Sequence, residues 1–253
     1  MKIILCIKPI KSELVFPGAD RNEKFVLNPY DYMALTMCLN LKKNVPGCKI
    51  VCVCMGTLES KEVLTYALAL GADDAVLISD SVFAGSDTVA TSYILAKAIN
   101  SIGNVDLIVC GERSVDGETG QVAYGIAERL DFGCVNNISE FVSFSEKSVE
   151  CVRKADNMTC LIKIPLHSVV ISCGCKTEYE TASLLARKRA KQKQISLLTH
   201  IDLGITKEQC GLLGSKTKVL KSSKIQISVQ SEFINGTPTE QADSLIDCLG
   251  ITL

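Results

Sequence analysis

The stretch DLIVCGERSVDGETGQVAYGIAERL, residues 106–130, decides the fold class of this sequence. It opens with an apolar run of the kind that a buried parallel strand shows, and it closes with apolar residues at helical spacing. A polar loop that contains Gly117 and Gly120 lies between the two. A strand that passes through such a loop into a helix forms part of a βαβ unit, and βαβ units build parallel sheets.

The same alternation of strand and helix extends over most of the chain. Because the crossovers between parallel strands are right-handed, the pattern predicts a doubly wound, mostly parallel α/β sheet of the Rossmann-like kind. The predicted strands cover residues 2–10, 49–56, 74–80, 106–111, 148–154, 159–164 and 168–174. The predicted helices cover residues 28–43, 60–73, 86–101 and the last part of 106–130.

Towards the C-terminus the character of the sequence changes. A short basic helix is predicted over residues 183–195, and an irregular, glycine-rich segment follows it over residues 200–215. We therefore expect one α/β domain over residues 1–195, which includes a basic segment over 177–195. A C-terminal arm is expected over residues 196–253.

The arm contains one predicted strand, KIQISVQ (224–230), and one short amphipathic helix, TEQADSLIDCLGI (239–251). It is long for a simple terminus. An arm that docks on a partner subunit would explain its length, and a cover over the chain's own core is the alternative.

Composition excludes several classes of function. The 253 residues carry a formal net charge of −1, so bulk electrostatics does not favour nucleic acid or an anionic membrane. Trp is absent and aromatic residues make up only 5%, which argues against surfaces that stack bases or sugars. No run approaches the roughly 20 apolar residues of a membrane span, so no membrane insertion is expected.

The 13 cysteines point to core packing rather than to a metal site. Several of them lie inside apolar strand-like runs, where a free cysteine behaves as a small hydrophobic residue. The sequence has no Cys-x-x-Cys pair and only two histidines, which weakens the case for zinc or an iron–sulfur cluster. The pattern indicates a reducing compartment, and we expect a cytoplasmic protein. The cysteines in these runs are Cys6, Cys52, Cys54, Cys110 and Cys173.

Two loops at predicted strand ends share one design. In GSDT (85–88) and GETGQ (117–121), glycine is followed by hydroxyl or amide residues at the start of a helix. Free backbone N–H groups and the helix dipole make such helix starts anion sites. Since the loops are expected to follow neighbouring strands, both would face one edge of the sheet and hold phosphate. Ordinary helix capping is the alternative explanation for each loop. The hydroxyl donors would be Ser86, Thr88, Thr91 and Thr119.

No catalytic residues are predicted. The sequence contains neither Gly-x-Gly-x-x-Gly nor a P-loop motif, and no Ser/His/Asp or Cys/His arrangement can be assembled from it. His167 and His200 are interpreted as structural or surface residues. Any chemistry would therefore belong to a bound cofactor.

The motifs in combination resemble the β subunit of electron transfer flavoproteins, the FixA group included. The Asn-Pro-Tyr-Asp start of the first long helix and the Asp-Gly-x-Thr-x-Gln loop are the most specific of them. The resemblance runs nearly end to end. It rests on residues 6–8, 28–31, 67–80, 106–130, 164–172, 186–195 and 202–204.

The resemblance implies an αβ heterodimer in which the α subunit carries an electron-transferring FAD and the β subunit holds an adenine nucleotide. Residues 83–99 are similar to bifurcating, anaerobic members, whose β-subunit nucleotide is a second FAD that takes hydride from NADH. This second FAD is favoured, and AMP in a non-bifurcating carrier is the alternative. The implied binding positions are Cys6, Lys8, Asn28, Tyr30, Asp31, Gly56, Ser86, Asp87, Thr88, Thr91, Asp116, Gly117, Glu118, Thr119, Gly120, Gln121 and Val122.

The resemblance also implies docking on an acyl-CoA-type or related dehydrogenase, with ferredoxin or flavodoxin as a further electron partner. Leu184 takes the place of the family's anchoring leucine, and the basic residues that follow it would steer the encounter. Thr177–Thr181 departs from the family's Asn-Glu-Pro-Arg-Tyr pattern. A solvated helix face is the alternative for the basic run, and a stand-alone nucleotide sensor is the alternative for the whole chain. The basic docking residues are Arg187, Lys188 and Arg189.

Overall fold

The computed structural model describes residues 1–15, 24–155, 157–172, 181–221 and 233–250, with the backbone alone for 168–172. The strands are β1 (Lys2–Ile7), β2 (Pro9–Lys11), β3 (Phe25–Leu27), β4 (Lys49–Met55), β5 (Asp74–Ile78), β6 (Leu107–Gly111), β7 (Gly133–Phe144), β8 (Ser148–Ala155), β9 (Met158–Pro165), β10 (Ser168–Ser172) and β11 (Ser196–Leu198). The α-helices are α1 (Ser12–Val15), α2 (Pro29–Asn44), α3 (Lys61–Leu70), α4 (Thr88–Ile102), α5 (Val122–Leu130), α6 (Leu184–Ala190), α7 (Gly211–Gly214) and α8 (Pro238–Leu249).

One sheet contains nine of the described strands, in the order β11-β5-β4-β1-β6-β10-β7-β8-β9. The strands from β11 to β7 pair in parallel, and β7, β8 and β9 form an antiparallel meander. From β1 the chain builds β4 and β5 on one side and then crosses to β6 on the other. Strand order therefore reverses between β1 and β6, where ligands of open α/β sheets bind.

Helices cover both faces of the parallel part of the sheet, as the strand pattern predicts. Alternate residues of β1 belong to two separate cores, because successive side chains of a strand point to opposite faces. Ile3 and Leu5 pack with residues of α2 and α3, whereas Ile4 packs with residues of α4 and α5. The doubly wound, mostly parallel α/β fold is confirmed.

Three sequence predictions differ from the structure in detail. The run at residues 2–10 is two strands, because β1 ends at Ile7 and β2 pairs antiparallel with β3. Strand β7 is not among the predicted strands, because its sequence GCVNNISEFVSF mixes polar and apolar residues and has no continuous apolar run. Strand β11, a three-residue strand that pairs with β5 at the edge of the sheet, is not among them either.

The chain divides into two compact units, Met1–Lys218 and Val219–Leu253. The first unit extends beyond the predicted boundary at residue 195, because β11 joins the sheet and Leu203 and Ile205 are buried in its core. In the second unit, α8 begins with a capping box between Thr237 and Glu240. The predicted strand over residues 224–230 lies outside the described residues.

Eleven free cysteines are found in the described part of the chain, and most of them are buried. Cys52 and Cys54 lie in the same core, whereas Cys173 lies outside the described residues. Within the described residues no group of three or more potential metal ligands occurs. The same residues contain no helix with the length and apolar character needed to cross a membrane.

Candidate functional site

Asn28 joins the three segments that meet at the carboxyl ends of β1 and β6. Its backbone N–H donates to the carbonyl of Lys8 at 3.1 Å. Its side-chain amide donates to the carbonyl of Arg113 at 2.8 Å and accepts from the backbone N–H of Val115 at 3.3 Å. Asn28 makes no side-chain cap on α2. Its amide instead fixes the loop that follows β6. We call the space bounded by Lys8, residues 28–31 and residues 111–121 the switch crevice.

Asp31 forms the buried floor of the switch crevice. Its carboxylate accepts a hydrogen bond of 2.7 Å from the backbone N–H of Lys8 and is also hydrogen-bonded by Asn28 and by the backbone of Gly111. A Cβ at Gly111 would overlap the Asp31 carboxylate and lie 2.9 Å from the Asp31 nitrogen, so only glycine fits there. Burial raises the pKa of Asp31 to about 7, although these hydrogen bonds and the Lys8 charge oppose the shift.

Lys8 reaches over the loop that follows β6. Its ammonium lies 2.7 Å from Asp116 Oδ1 and 3.2 Å from Ser114 Oγ, and about half of its side chain stays exposed. Burial alone would raise the pKa of Asp116, but the hydrogen bonds from Lys8 and Ser114 outweigh it, so the pKa is lowered. The crevice therefore has a half-exposed cation at the end of β1.

The rest of this loop is tightly turned and open to solvent. Glu118 has a positive φ of 49° and Gly120 one of 61°, and the N–H of Glu118 donates to the carbonyl of Ser114 at 2.8 Å. Thr119 and Gln121 are exposed just before α5. A Cβ at Gly117 would meet no atom closer than 3.6 Å, so its backbone stands in open space. Polar groups of the loop are thus available to a ligand at the start of α5.

Arg113 and Tyr30 form one wall of the crevice. The guanidinium lies 5.3 Å from the centre of the Tyr30 ring, and its Nε donates to the Tyr30 hydroxyl at 3.0 Å. This contact raises the pKa of Arg113, which in any case stays charged. A second cation thus stands at the mouth of the crevice.

The two glycine-containing loops do not follow neighbouring strands, which corrects the sequence analysis. Both β4 and β1 lie between β5 and β6 in the sheet. The sheet order could not be read from the chain order, because the crossover after β5 passes over two strands before it reaches β6. The two loops therefore lie at the same edge of the sheet, but the ends of β4 and β1 separate the strands that they follow.

The loop after β5 is occupied by a later segment of the same chain. Ser86 Oγ accepts from the N–H of Gly211 at 3.0 Å and donates to the carbonyl of Phe83. Asp87 caps α4 through the N–H of Ala90 at 2.9 Å. The other Asp87 oxygen accepts from the N–H groups of Lys216 and Thr217 at 2.7 and 2.8 Å. The capping alternative therefore describes Asp87, and neither side chain is free to face a ligand.

Ser215, Gly85 and Gly211 complete this contact. Ser215 Oγ accepts from the N–H of Asp87 at 2.8 Å and donates to the carbonyls of Gly85 and Gly211. A Cβ at Gly85 would lie 2.5 Å from Leu212, and one at Gly211 would overlap the carbonyl of Val82. Residues 206–217 thus form a plug on the loop after β5, and we call them the plug segment.

The first turns of α4 and α5 nevertheless lie side by side. A Cβ at Gly125 would lie 2.5 Å from Ser92 Oγ, so the two helices approach closely. Arg129 bridges them, since its Nη2 donates to the carbonyl of Val89 at 3.1 Å. Thr88 and Thr91 are half-buried on the first turn of α4. The N-terminal turns of α4 and α5 are therefore close together, although the strands that precede these helices, β5 and β6, are not neighbours.

Three further positions from the sequence analysis lie around the crevice. Gly56 follows β4, donates its N–H to the carbonyl of Ile78 and leaves no room for a Cβ beside the buried Ser60. Cys6 is buried opposite Cys110 in the α4–α5 core, so it serves as packing. Val122 begins α5 and packs against the same core.

The described part of the predicted docking segment contains α6. Leu184 opens this helix with 87% of its side chain exposed, and Lys188 and Arg189 are exposed as well. Arg187 is not free, because it stacks on Tyr66 of α3 at 5.3 Å and donates to the carbonyl of Ala182. Residues 177–180 lie outside the described residues.

The sequence analysis missed Gly111, Arg113 and Ser114. A glycine at the last position of a buried strand was a usable signal for Gly111, because such a glycine often marks a close approach of another group. No local pattern distinguished Arg113 and Ser114 from solvated loop residues. His200, interpreted as structural, pairs through Nδ1 with Asp80 at 2.5 Å and ties the end of β11 to the end of β5.

Comparisons with known proteins agree with this architecture. A model of the electron transfer flavoprotein domain matches residues 18–203. The CarD subunit of the caffeyl-CoA reductase–Etf complex of Acetobacterium woodii is 33% identical over 225 residues, which cover 88% of this chain and 86% of CarD. FixA of Azotobacter vinelandii is 37% identical over 202 residues, or 78% of this chain and 72% of FixA.

The electron transfer flavoprotein β subunit of Clostridium acetobutylicum is 32% identical over 263 residues, which cover 98% of each chain. The family match spans well over half of the sequence, and these relatives match it along most of their own length. The chain therefore belongs to the electron transfer flavoprotein family, as a member of its β-subunit, FixA-like branch.

Proposed function

We propose that this chain binds an adenine nucleotide in the switch crevice. The observation that carries the proposal is the crevice itself, which lies where strand order reverses and combines a half-exposed Lys8 with an open, glycine-containing loop at the start of α5. Ligands of doubly wound sheets bind at such a point, and a helix start favours phosphate.

A second FAD is the favoured nucleotide. Its two phosphates would need two groups of donors, and the adjoining first turns of α4 and α5 supply two helix N-termini within reach of one another. A flavin held there would accept hydride from NADH and send its electrons along separate paths. The chain's own part is to bind and orient: Lys8 offers a positive charge, and Thr88, Thr91 and Thr119 offer hydroxyl donors.

AMP is the second candidate, and one observation favours it. Ser86 and Asp87 were predicted to contact the second FAD, but their side chains are engaged by the plug segment. A mononucleotide needs donors for one phosphate only, and the loop over residues 116–121 with the start of α5 provides them. The two candidates therefore differ in whether the start of α4 takes part.

The proposed partner is an electron transfer flavoprotein α subunit in an αβ heterodimer. The names of two relatives support this pairing, since one is called a β subunit and the other a subunit of an Etf complex. The C-terminal arm would contact the α subunit. Membership of this family does not support the alternative function, a stand-alone nucleotide sensor. The cytoplasmic location stays a prediction.

Electrons would pass to an acyl-CoA-type or related dehydrogenase that docks on α6, with ferredoxin or flavodoxin as a further partner. The support for docking is the almost fully exposed Leu184 beside the exposed Lys188 and Arg189. Large apolar residues that stand free on a helix next to charged ones are typical of binding surfaces.

The test is a count of nucleotides. The chain is co-expressed with its α subunit, and the purified heterodimer is denatured to release FAD and AMP for quantification. Two FAD per heterodimer would support the favoured form, and one FAD with one AMP would support the second candidate. One FAD with no further adenine nucleotide would contradict both.

A further inference from the structure

Asp31 is the most deeply buried carboxylate of the crevice, with 5% of the residue exposed. It lies in the first turn of α2 and projects to the point where the pairing of β1 with β6 ends at Cys6 and Cys110. Beyond that pair the two strands no longer bond to each other. The Asp31 carboxylate instead accepts the backbone N–H of Lys8, two residues after Cys6, and that of Gly111, the residue after Cys110.

This arrangement leaves Asp31 little access to a ligand, but it connects Asp31 to the backbone on both sides of the crevice. Both strand-end amides need an acceptor, because buried backbone donors without one cost free energy. Since one carboxylate accepts both amides, it links the two strand ends. Gly111 permits this, as any side chain there would overlap the carboxylate.

We propose that Asp31 is a positioning residue, which sets the width of the switch crevice through Lys8 and Gly111 and thereby the affinity for an adenine nucleotide bound above it. The proposal rests on the proposed function, because it concerns the same crevice. It differs from a contact role, which the sequence resemblance implied for Asp31.

Protonation of Asp31 offers a readout that a merely structural role would not give. The charged group closest to it is Lys8, and the thiols that face it are Cys52 and Cys54 on β4 and Cys110 on β6. Burial raises the pKa of Cys52 and Cys54, and a hydrogen bond with Cys6 together with burial raises that of Cys110. Among these described groups, Asp31 is therefore the group whose pKa lies near 7.

The sign of the pH effect follows from charge. A nucleotide anion above the crevice disfavours the ionised carboxylate, so the pKa of Asp31 is higher in the complex than in the free protein. Affinity is then highest and constant below about pH 7, where Asp31 is already protonated. It falls by up to about tenfold for each pH unit above that, until the pKa of the complex is passed.

The probe is ADP-ribose, whose pyrophosphate diester has no ionisation near neutral pH and which leaves the α-subunit flavin in place. Its dissociation constant is measured by calorimetry on nucleotide-stripped heterodimer between about pH 6 and pH 9. Asp31→Asn cannot ionise, so its affinity should be independent of pH. At low pH it should match the wild type, because a protonated carboxyl group and a carboxamide each keep one carbonyl acceptor for the two amides. Asp31→Ala, which offers neither amide an acceptor, should bind about tenfold more weakly than Asp31→Asn at every pH.

The matched control is Asp106→Asn. Asp106 joins the same two strands at their opposite ends, where its carboxylate accepts the N–H of Lys2 at 2.7 Å and its own N–H donates to the carbonyl of Lys2. This control should lose stability but keep the wild-type slope of affinity against pH.

The proposal is supported if the affinity for ADP-ribose falls with pH in the wild type and in Asp106→Asn but does not change with pH in Asp31→Asn. A flat wild-type profile overturns it without any variant, which covers the case in which Asp31→Asn does not fold. A slope that persists in Asp31→Asn overturns it as well. If the wild type binds no ADP-ribose and releases no AMP or second FAD, the proposed function itself fails and the inference with it.

Discussion

Two loops at the carboxyl edge of the sheet resemble each other in sequence and differ in what fills them. The loop after β5 and the loop after β6 both place glycine, a hydroxyl residue and an acid before a helix. The plug segment occupies the first, through Ser86, Asp87 and Ser215. The second keeps Thr119 and Gln121 exposed beside a half-exposed Lys8.

The difference shows that a helix start becomes a ligand site only if the rest of the chain leaves it open. Backbone donors and acceptors near a strand end must be satisfied by something. In one loop the partner comes from about 125 residues further along the chain, as in the bond from Gly211 to Ser86. In the other loop the polar groups of residues 117–121 are left to solvent or to a nucleotide.

The largest expected effect comes from Gly111→Ala. A Cβ would overlap the Asp31 carboxylate and press on backbone atoms of Tyr30 and Asp31 that cannot yield, so we expect a loss of more than about 3 kcal/mol in unfolding free energy. Nucleotide binding should be lost with it. Gly117→Ala is the control, since its Cβ would meet no atom closer than 3.6 Å. Denaturant unfolding compares the two variants, and equal stability would contradict the closed crevice floor.

Asp87→Ala tests the plugged loop. The variant loses the cap on α4 and the acceptor of the Lys216 and Thr217 amides, which together should cost about 2–3 kcal/mol. Hydrogen exchange at residues 216 and 217 should accelerate, as local opening there becomes easier. Asp87→Asn, which can still cap α4, should lose less. Unchanged exchange in Asp87→Ala would mean that the plug is held by other contacts.

Thr119→Ala tests the open loop. If its hydroxyl donates to phosphate, the variant should lose about 1.5–3 kcal/mol of binding free energy, or roughly 10- to 100-fold in affinity. Thr88→Ala should show the same loss only if a dinucleotide also reaches α4. Thr65→Ala is the control, because that exposed hydroxyl bonds within α3 to the carbonyl of Lys61. If Thr119→Ala and Thr88→Ala both retain the nucleotide as the wild type does, the two hydroxyls do not bind phosphate and only cap their helices.

Leu184→Ala should have the smallest effect, at least on the isolated heterodimer. The side chain is 87% exposed, so the variant should keep its stability and its nucleotide content. Electron transfer to the dehydrogenase should slow by about fivefold or more, as expected when an interface anchor worth about 1 kcal/mol is truncated. Met158→Ala removes a side chain of comparable exposure from β9 as a control. Release of the nucleotide by Leu184→Ala would contradict a docking role.

The sequence predicted the parallel core because buried strands and amphipathic helices have strong periodic signals. The resemblance assigned Lys8, Asn28 and residues 116–121 to one binding site, and the structure brings them together, while their role in binding stays a prediction. The order of the strands was not accessible in this way. The chain passes from β5 over β4 and β1 to β6, and no local pattern states how many strands a crossover spans.

The plug was unpredictable for a related reason. Residues 206–217 read as an irregular, glycine-rich segment, and nothing local connects Gly211 or Ser215 with Ser86 and Asp87. Long-range packing therefore decided which of two similar loops stays open. The same holds for β7, which is a strand because β10 and β8 pair with it, although its own sequence is half polar.

The most direct test of the central claim is hydrogen exchange of the heterodimer with and without ADP-ribose, read peptide by peptide. We expect binding to slow exchange in residues 112–121 and in the first turn of α5, and to leave residues 206–217 nearly unchanged. Slower exchange in the plug segment with no change in residues 112–121 would contradict the account, because the open and the plugged loop would then have exchanged roles.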